Sequence, residues 1–248
     1  MPVIKSAGSA LTATVCAALL LTGCTDAAPP APAVGAKSPA PRPASGPQAL
    51  PVRQIPGLGP DFRSRIPGGT RQALVVAGRT ADTNTAQGVL YERDARGSWR
   101  PVAGPWPAHN ALRGWTNDHH AGDLRTPVGV FGLGDAGGRS PDPGTRLPYD
   151  QDEEFVAPGT GFLGEPLEGS FDYVIAIDYN RVPGTSPLDK ERPLGLEKGS
   201  GVWIHVDHEG PTQACISFQE DHMRRLLRAL DPAKQPVIVM GPAPQLRR

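Results

Sequence analysis

About a quarter of this chain is glycine or proline, with 30 Gly and 29 Pro among 248 residues. That is roughly twice the usual share. Proline breaks helices and glycine weakens them, so much of the chain is barred from helix. The hydrophobic share is 38%, under the roughly 45–50% of an ordinary domain, so a polar segment dilutes a normal core. Twenty-five basic side chains balance 25 acidic ones. A nucleic-acid binder would carry a basic excess, so no nucleic-acid partner is expected. Three cysteines, Cys16, Cys24 and Cys215, are too few for a disulfide scaffold or a four-thiolate zinc site.

Residues 1–23 read as an export signal. Lys5 is their single charge, and an apolar run follows from Ala10 to Leu21. Its length, about a dozen residues, suits a signal peptide and is too short to span a bilayer. The run ends in Leu21-Thr22-Gly23-Cys24, which resembles a bacterial lipobox. Lipidation at Cys24 is therefore expected, with the protein anchored to a membrane outside the cytoplasm. The alternative is an ordinary signal peptide with a chance cysteine.

Residues 24–69 read as a tether. Ten Pro and eight Ala fall between 25 and 60, too little apolar surface to fold. Extended, such a segment reaches on the order of 100 Å. The folded domain is expected over 70–242, with a tail at 243–248. Strands are expected at Gln72–Ala77, Gly88–Arg93, Ser98–Val102, Val128–Leu133, Tyr173–Tyr179, Gly201–Val206 and Val237–Met240, and Asp94–Gly97 signals a hairpin. One helix is expected, Phe218 to Leu230. Met223, Leu226, Leu227 and Leu230 share one face, Ser217 and Glu220 form a capping box, and Asp231-Pro232 makes the stop. The long segment Gly134–Gly169 reads as a lid or substrate-binding wall, or as a surface excursion.

With Cys16 discarded and Cys24 acylated, Cys215 is the one free thiol of the mature chain, which marks it as a candidate nucleophile. Its segment is GVWIHVDHEGPTQACISF. Strand alternation places Trp203, His205 and Asp207 on one face and His208 on the other, so His205 is favoured over His208 as base. The turn Glu209-Gly210-Pro211 returns Cys215 to the strand. The positive end of the following helix would favour a thiolate, ionising below the free value of about 8.5. Zinc held by His205, His208 and Cys215 is a weaker alternative, because the spacing is not a common ligand pattern. No metal or other cofactor is expected. His119 and His120 read as solvated loop residues. A papain-like amidase would place its cysteine before its histidine, the reverse of the order here.

The same stretches resemble the catalytic domain of the bacterial L,D-transpeptidases. His205 with Thr212-Gln213-Ala214-Cys215-Ile216 resembles that family's strand histidine and cysteine element. Gly122–Phe131, GDLRTPVGVF, resembles its G-D-x-x-T-P-x-G-x-F segment, and Asp178-Tyr179-Asn180 its D/N-Y-N strand end. Several motifs in order are more specific than one.

The resemblance implies a mainly β fold, a mixed-sheet sandwich or barrel-like body. It implies that Cys215 attacks a peptidoglycan tetrapeptide stem and releases D-Ala, and that an acceptor amine resolves the thioester. His205 would be the base, with an oxyanion hole and turn at Thr212, Gln213 and Ala214. Trp203, His208, Tyr179 and Asn180 are candidate substrate contacts. Carbapenems, β-lactams that acylate this family, are the expected inhibitors. Two residues depart from the pattern. Ala214 replaces a glycine, a cost of about 1 kcal/mol if φ is positive there, and Gln213 stands where many members have His. A carboxypeptidase using the same acyl-enzyme, or a non-catalytic lipoprotein binding peptidoglycan or a partner, are the alternatives.

Overall fold

The computed structural model describes residues 53–248. The signal peptide, Cys24 and most of the tether lie outside the described residues. The apolar, β-branched runs form strands where expected: β1 (Gln72–Gly78), β2 (Thr85–Arg93) and β3 (Trp99–His109). Asp94 closes the β2–β3 turn, its carboxylate accepting from the N–H groups of Arg96 and Ser98. Then come β4 (Trp115–Thr116), β5 (Thr126–Pro127), β6 (Gly129–Gly132), β7 (Ala136–Gly138), β8 (Tyr149–Gln151) and β9 (Val174–Ala176). The last are β10 (Trp203–Val206), β11 (Ile216–Phe218) and β12 (Val237–Pro242).

Ten of these strands form one curled mixed sheet, a half-barrel, in the order β6-β12-β1-β2-β3-β11-β10-β9-β7-β8. The fold is thus mainly β with few helices. Strands β1 and β12 pair in parallel near the β6 end of this order, where every residue of β12 and all but one of β1 are buried. Such strands read as continuous apolar runs rather than alternating ones. β7 and β8 arise inside 134–169, so part of that segment extends the sheet.

Helix α1 (Pro60–Arg65) precedes the sheet and helix α2 (Glu220–Ala229) follows β11. Met223, Leu226, Leu227 and Leu230 are all buried, as their spacing predicts. The capping box does not form. Gln219 is the N-cap, and Ser217 belongs to β11 and donates instead to Asp207. A strand residue cannot also close a helix that starts three positions later.

The domain boundaries differ from those expected. Ile55, Leu58 and Phe62 are buried in the main core, so the folded body begins by Ile55 rather than at residue 70. The tail also belongs to it. Helix α3 (Ala243–Leu246) buries Leu246, whose carbonyl accepts from Gly59 N–H at 2.7 Å. Pro-rich composition masked these few anchoring side chains. Phe62→Ala should cost about 3 kcal/mol in urea denaturation of the full chain. An unchanged midpoint would show that the segment only lies on the surface.

Candidate active site

Strands β10 and β11 run parallel with Ile204 opposite Ile216. Cys215, one residue before β11, therefore lies beside Trp203. Alternation puts Trp203, His205 and Cys215 on one face, with His205 and Cys215 as diagonal neighbours. The turn does bring the cysteine back to the strand, but through a parallel connection rather than a hairpin. On the way Thr212 bridges to Ala111, its N–H donating to Asn110 and its carbonyl accepting from Leu112. Trp203 N–H donates to Cys215 Sγ at 3.4 Å, and the thiol reaches Gly201 O at 3.5 Å.

All three side chains line a cleft of about 820 Å³, together with His208, Thr212, Gln213 and Ala214. This volume lies within the usual range for small-molecule and peptide sites. One wall comes from Val156–Leu167, so the long segment does form a wall of the site. The other comes from Arg192–Gly201. Both walls carry exposed apolar side chains, Phe162 and Leu163 on one and Leu194 and Leu196 on the other.

His205 is buried, and its Nδ1 lies 2.8 Å from Val206 O. A carbonyl only accepts, so Nδ1 carries the proton and Nε2 keeps its lone pair. That Nε2 has no hydrogen-bond partner among the described residues and is not sealed from solvent. Phe171 fixes the ring plane by packing edge-on against both His205, 5.4 Å away, and Trp203, 5.0 Å away. Burial lowers the His205 pKa to about 4 and raises that of the Cys215 thiol to about 11. At neutral pH both groups are therefore uncharged. The expected low-pKa thiolate is not what this site holds, because desolvation outweighs the Trp203 N–H. Helix α2 does not help, since β11 separates it from the cysteine.

The cysteine backbone is clamped. Thr212 Oγ1 donates to Cys215 O at 2.7 Å, and Thr126 Oγ1 reaches the same oxygen at 3.5 Å while accepting from Ala111 N–H. Both threonines are buried. Ala214 is not among the residues with positive φ, so its replacement of glycine adds no backbone strain. The N–H groups of Gln213, Ala214 and Cys215 donate no hydrogen bond within the described chain.

His208 is not on the opposite face. The strand ends at Val206, and beyond it the alternation lapses. Its ring stacks on His205 at 5.7 Å and 9°, and its Nδ1 lies 3.1 Å from Glu165 Oε1. Burial opposes ionisation of Glu165, yet backbone N–H groups and His208 hold its carboxyl below the ordinary range. A Cβ at Gly161 or Gly210 would strike this carboxylate, so both positions must be glycine for it to approach. Further along, buried Asp207 accepts from Ser217 Oγ at 2.7 Å and His109 Nδ1 at 2.8 Å.

Tyr179 and Asn180 do not line the cleft. Tyr179 Oη donates to Lys198 O, and the Asn180 side chain donates to Gly195 O and accepts from Leu194 N–H. They hold the 194–200 wall in place rather than touch its contents. His119 is buried and faces the cleft, contrary to a solvated loop residue, because residues 197–201 cover it. His120 stays half-exposed. Among the described residues no three His, Cys, Asp or Glu side chains converge to hold a metal, so His205, His208 and Cys215 do not form the zinc alternative.

Glu165, Phe171, Thr126 and Arg192 are the site residues that spacing did not single out. Glu165 is one acid among many in its segment, 43 positions from the histidine it touches. Arg192 is the cation among the lining residues, tethered through Nε to Ser200 Oγ. No family model matches the chain, and no curated protein matches it either.

Proposed function

We propose that this protein is a cysteine acyltransferase of the L,D-transpeptidase family, acting on peptidoglycan stem peptides from a lipid anchor at Cys24 in the cell envelope. The observation that carries the reading is the pairing in one cleft of a half-buried thiol with a neighbouring imidazole whose Nε2 is bare. The half-barrel body, the cysteine turn held in part by Thr126 of the T-P segment, and the D-Y-N segment bonded to the 194–200 wall support the finer family fold.

The chemistry follows from the charges. A thiol of pKa about 11 is a poor nucleophile at pH 7, so it must lose its proton as it attacks. His205 Nε2 accepts that proton while Sγ bonds the donor carbonyl. The N–H groups of Gln213, Ala214 and Cys215 are the free donors for the oxyanion. His205 then protonates the leaving D-Ala amine, and a thioester remains. Arg192 suits a carboxylate of the stem peptide.

Incubation with a purified tetrapeptide-stem muropeptide tests this. Cross-linked dimer is expected. Tripeptide alone would mean a carboxypeptidase on the same acyl-enzyme, and no product would mean a non-catalytic binding lipoprotein.

The pH profile tests the base. With the His205 pKa lowered to about 4, the acceptor form dominates well below neutrality. Acylation should hold from pH 7 down to about 5 and then fall tenfold per unit below about 4, read as the adduct rate with a carbapenem. Folding stability follows the same sign. The unfolded chain takes up the proton first, so stability is complete above about 6.5 and declines as pH drops through 4.

A further inference from the structure

We infer that His208, held by Glu165, is a second base dedicated to the acceptor amine, so that two stacked histidines divide the proton traffic of the two half-reactions. The inference rests on the acyl-enzyme reading above and deepens it.

The reason lies in proton counting. Acylation moves one proton, from the Cys215 thiol through His205 to the departing amine. Resolution by an amine is different, because an amine reaches the site as an ammonium at neutral pH. It must shed two protons to become an amide. One returns to the thiolate as the carbon–sulfur bond breaks. The other has to leave the site altogether. Written out, the thioester and R-NH₃⁺ give the amide, the thiol and one proton. A water acceptor needs only the first transfer during attack. A single histidine beside the thioester serves water well and an ammonium poorly.

The cleft holds a second imidazole in the right place. His208 lines it, and its ring lies parallel to His205 at 5.7 Å. Nδ1 is directed to the Glu165 carboxylate at 3.1 Å, so that nitrogen carries hydrogen and Nε2 presents a lone pair. This Nε2 has no partner among the described residues and is not sealed from solvent. The carboxylate is itself fixed, with Oε2 accepting from Leu163 N–H at 2.7 Å. Its charge draws a cation to this side of the cleft. His205 has only a backbone carbonyl behind it, and burial keeps it neutral. The charged and titratable groups around His208 are Glu165, His205 and Asp207. In resolution, the acceptor nitrogen attacks the thioester carbon after giving one proton to His208 Nε2. His205 takes the second proton and returns it to Sγ, and His208 releases its own to solvent.

The test compares full-length wild type, His208→Gln and Glu165→Gln on a tetrapeptide-stem muropeptide that serves as both donor and acceptor. The readout is the ratio of dimer to tripeptide. Both products branch from one acyl-enzyme, so a variant that is merely damaged loses both alike and keeps the ratio. His208→Gln should lower the ratio on the order of a hundredfold. Glu165→Gln, which keeps an acceptor for Nδ1 but not the charge, should lower it by a smaller factor. An unchanged ratio in both variants overturns the inference and leaves the acyl-enzyme reading standing. A wild-type chain that forms neither product and no carbapenem adduct overturns the reading beneath it as well.

Discussion

Replacing His205 by Ala should slow acylation of Cys215 on the order of a thousandfold at pH 7. The effect is large because the site offers no substitute route to a nucleophile. Burial holds the thiol pKa near 11, so the thiolate fraction at neutral pH is minute. His208 is committed elsewhere, its Nδ1 directed to Glu165. The pH dependence should also invert. Wild-type acylation is flat between about pH 5 and 9, whereas the variant should gain tenfold per unit as hydroxide strips the thiol directly. The measurement is the rate of mass gain with a carbapenem across that range. A variant within tenfold of wild type at pH 7 would mean that the thiol is already ionised in the resting protein.

Arg181→Ala should destabilise the fold by about 3–5 kcal/mol, far more than loss of an ordinary ion pair. Arg181 is 7% exposed and bridges Asp135 at 2.8 Å, 5% exposed, and Asp178. Its other branch donates to Thr185 O. Without the guanidinium, two carboxylates stay inside with no countercharge, and burial already pushes the Asp178 pKa upward. The loss should shrink as pH falls and the carboxylates take up protons. This ion cluster anchors the start of the segment whose far end, 192–201, walls the cleft. Arg146→Ala makes the control, since Arg146 pairs with Asp231 while 61% exposed and should cost under about 1 kcal/mol. Urea midpoints of the full chain decide the matter. Equal, small losses in both variants would contradict it.

The sequence was most legible where an apolar pattern is sustained. Strands β1 and β12 follow from continuous apolar runs, β2 from alternation and the buried face of α2 from a spacing of 3.6, and together they supply much of the core. The short strands β4, β5, β7 and β8 carry no such pattern. They exist because neighbours supply their partners, as Trp115–Thr116 beside Thr126–Pro127 does. Composition misled at Ile55, Leu58 and Phe62, since three anchors among prolines bury a segment that averages as linker. At the site, alternation correctly put His205 with Trp203 and the turn returned Cys215 beside them, but alternation failed at His208, two residues beyond the strand. Glu165 was hidden for a different reason. A contact between a loop carboxylate and a distant histidine depends on how a wall folds back, and no local spacing encodes that. The thiol's charge state also escaped the sequence, because burial sets it.

One measurement bears most directly on the central claim that Cys215 is an acylatable nucleophile served by His205. Full-length protein is incubated with a carbapenem at pH 7 and its mass recorded, beside Cys215→Ala. The expected result is one adduct on wild type, located on the peptide containing Cys215, and none on the variant. A wild type that gains no mass, or a Cys215→Ala chain that still does, would contradict the account.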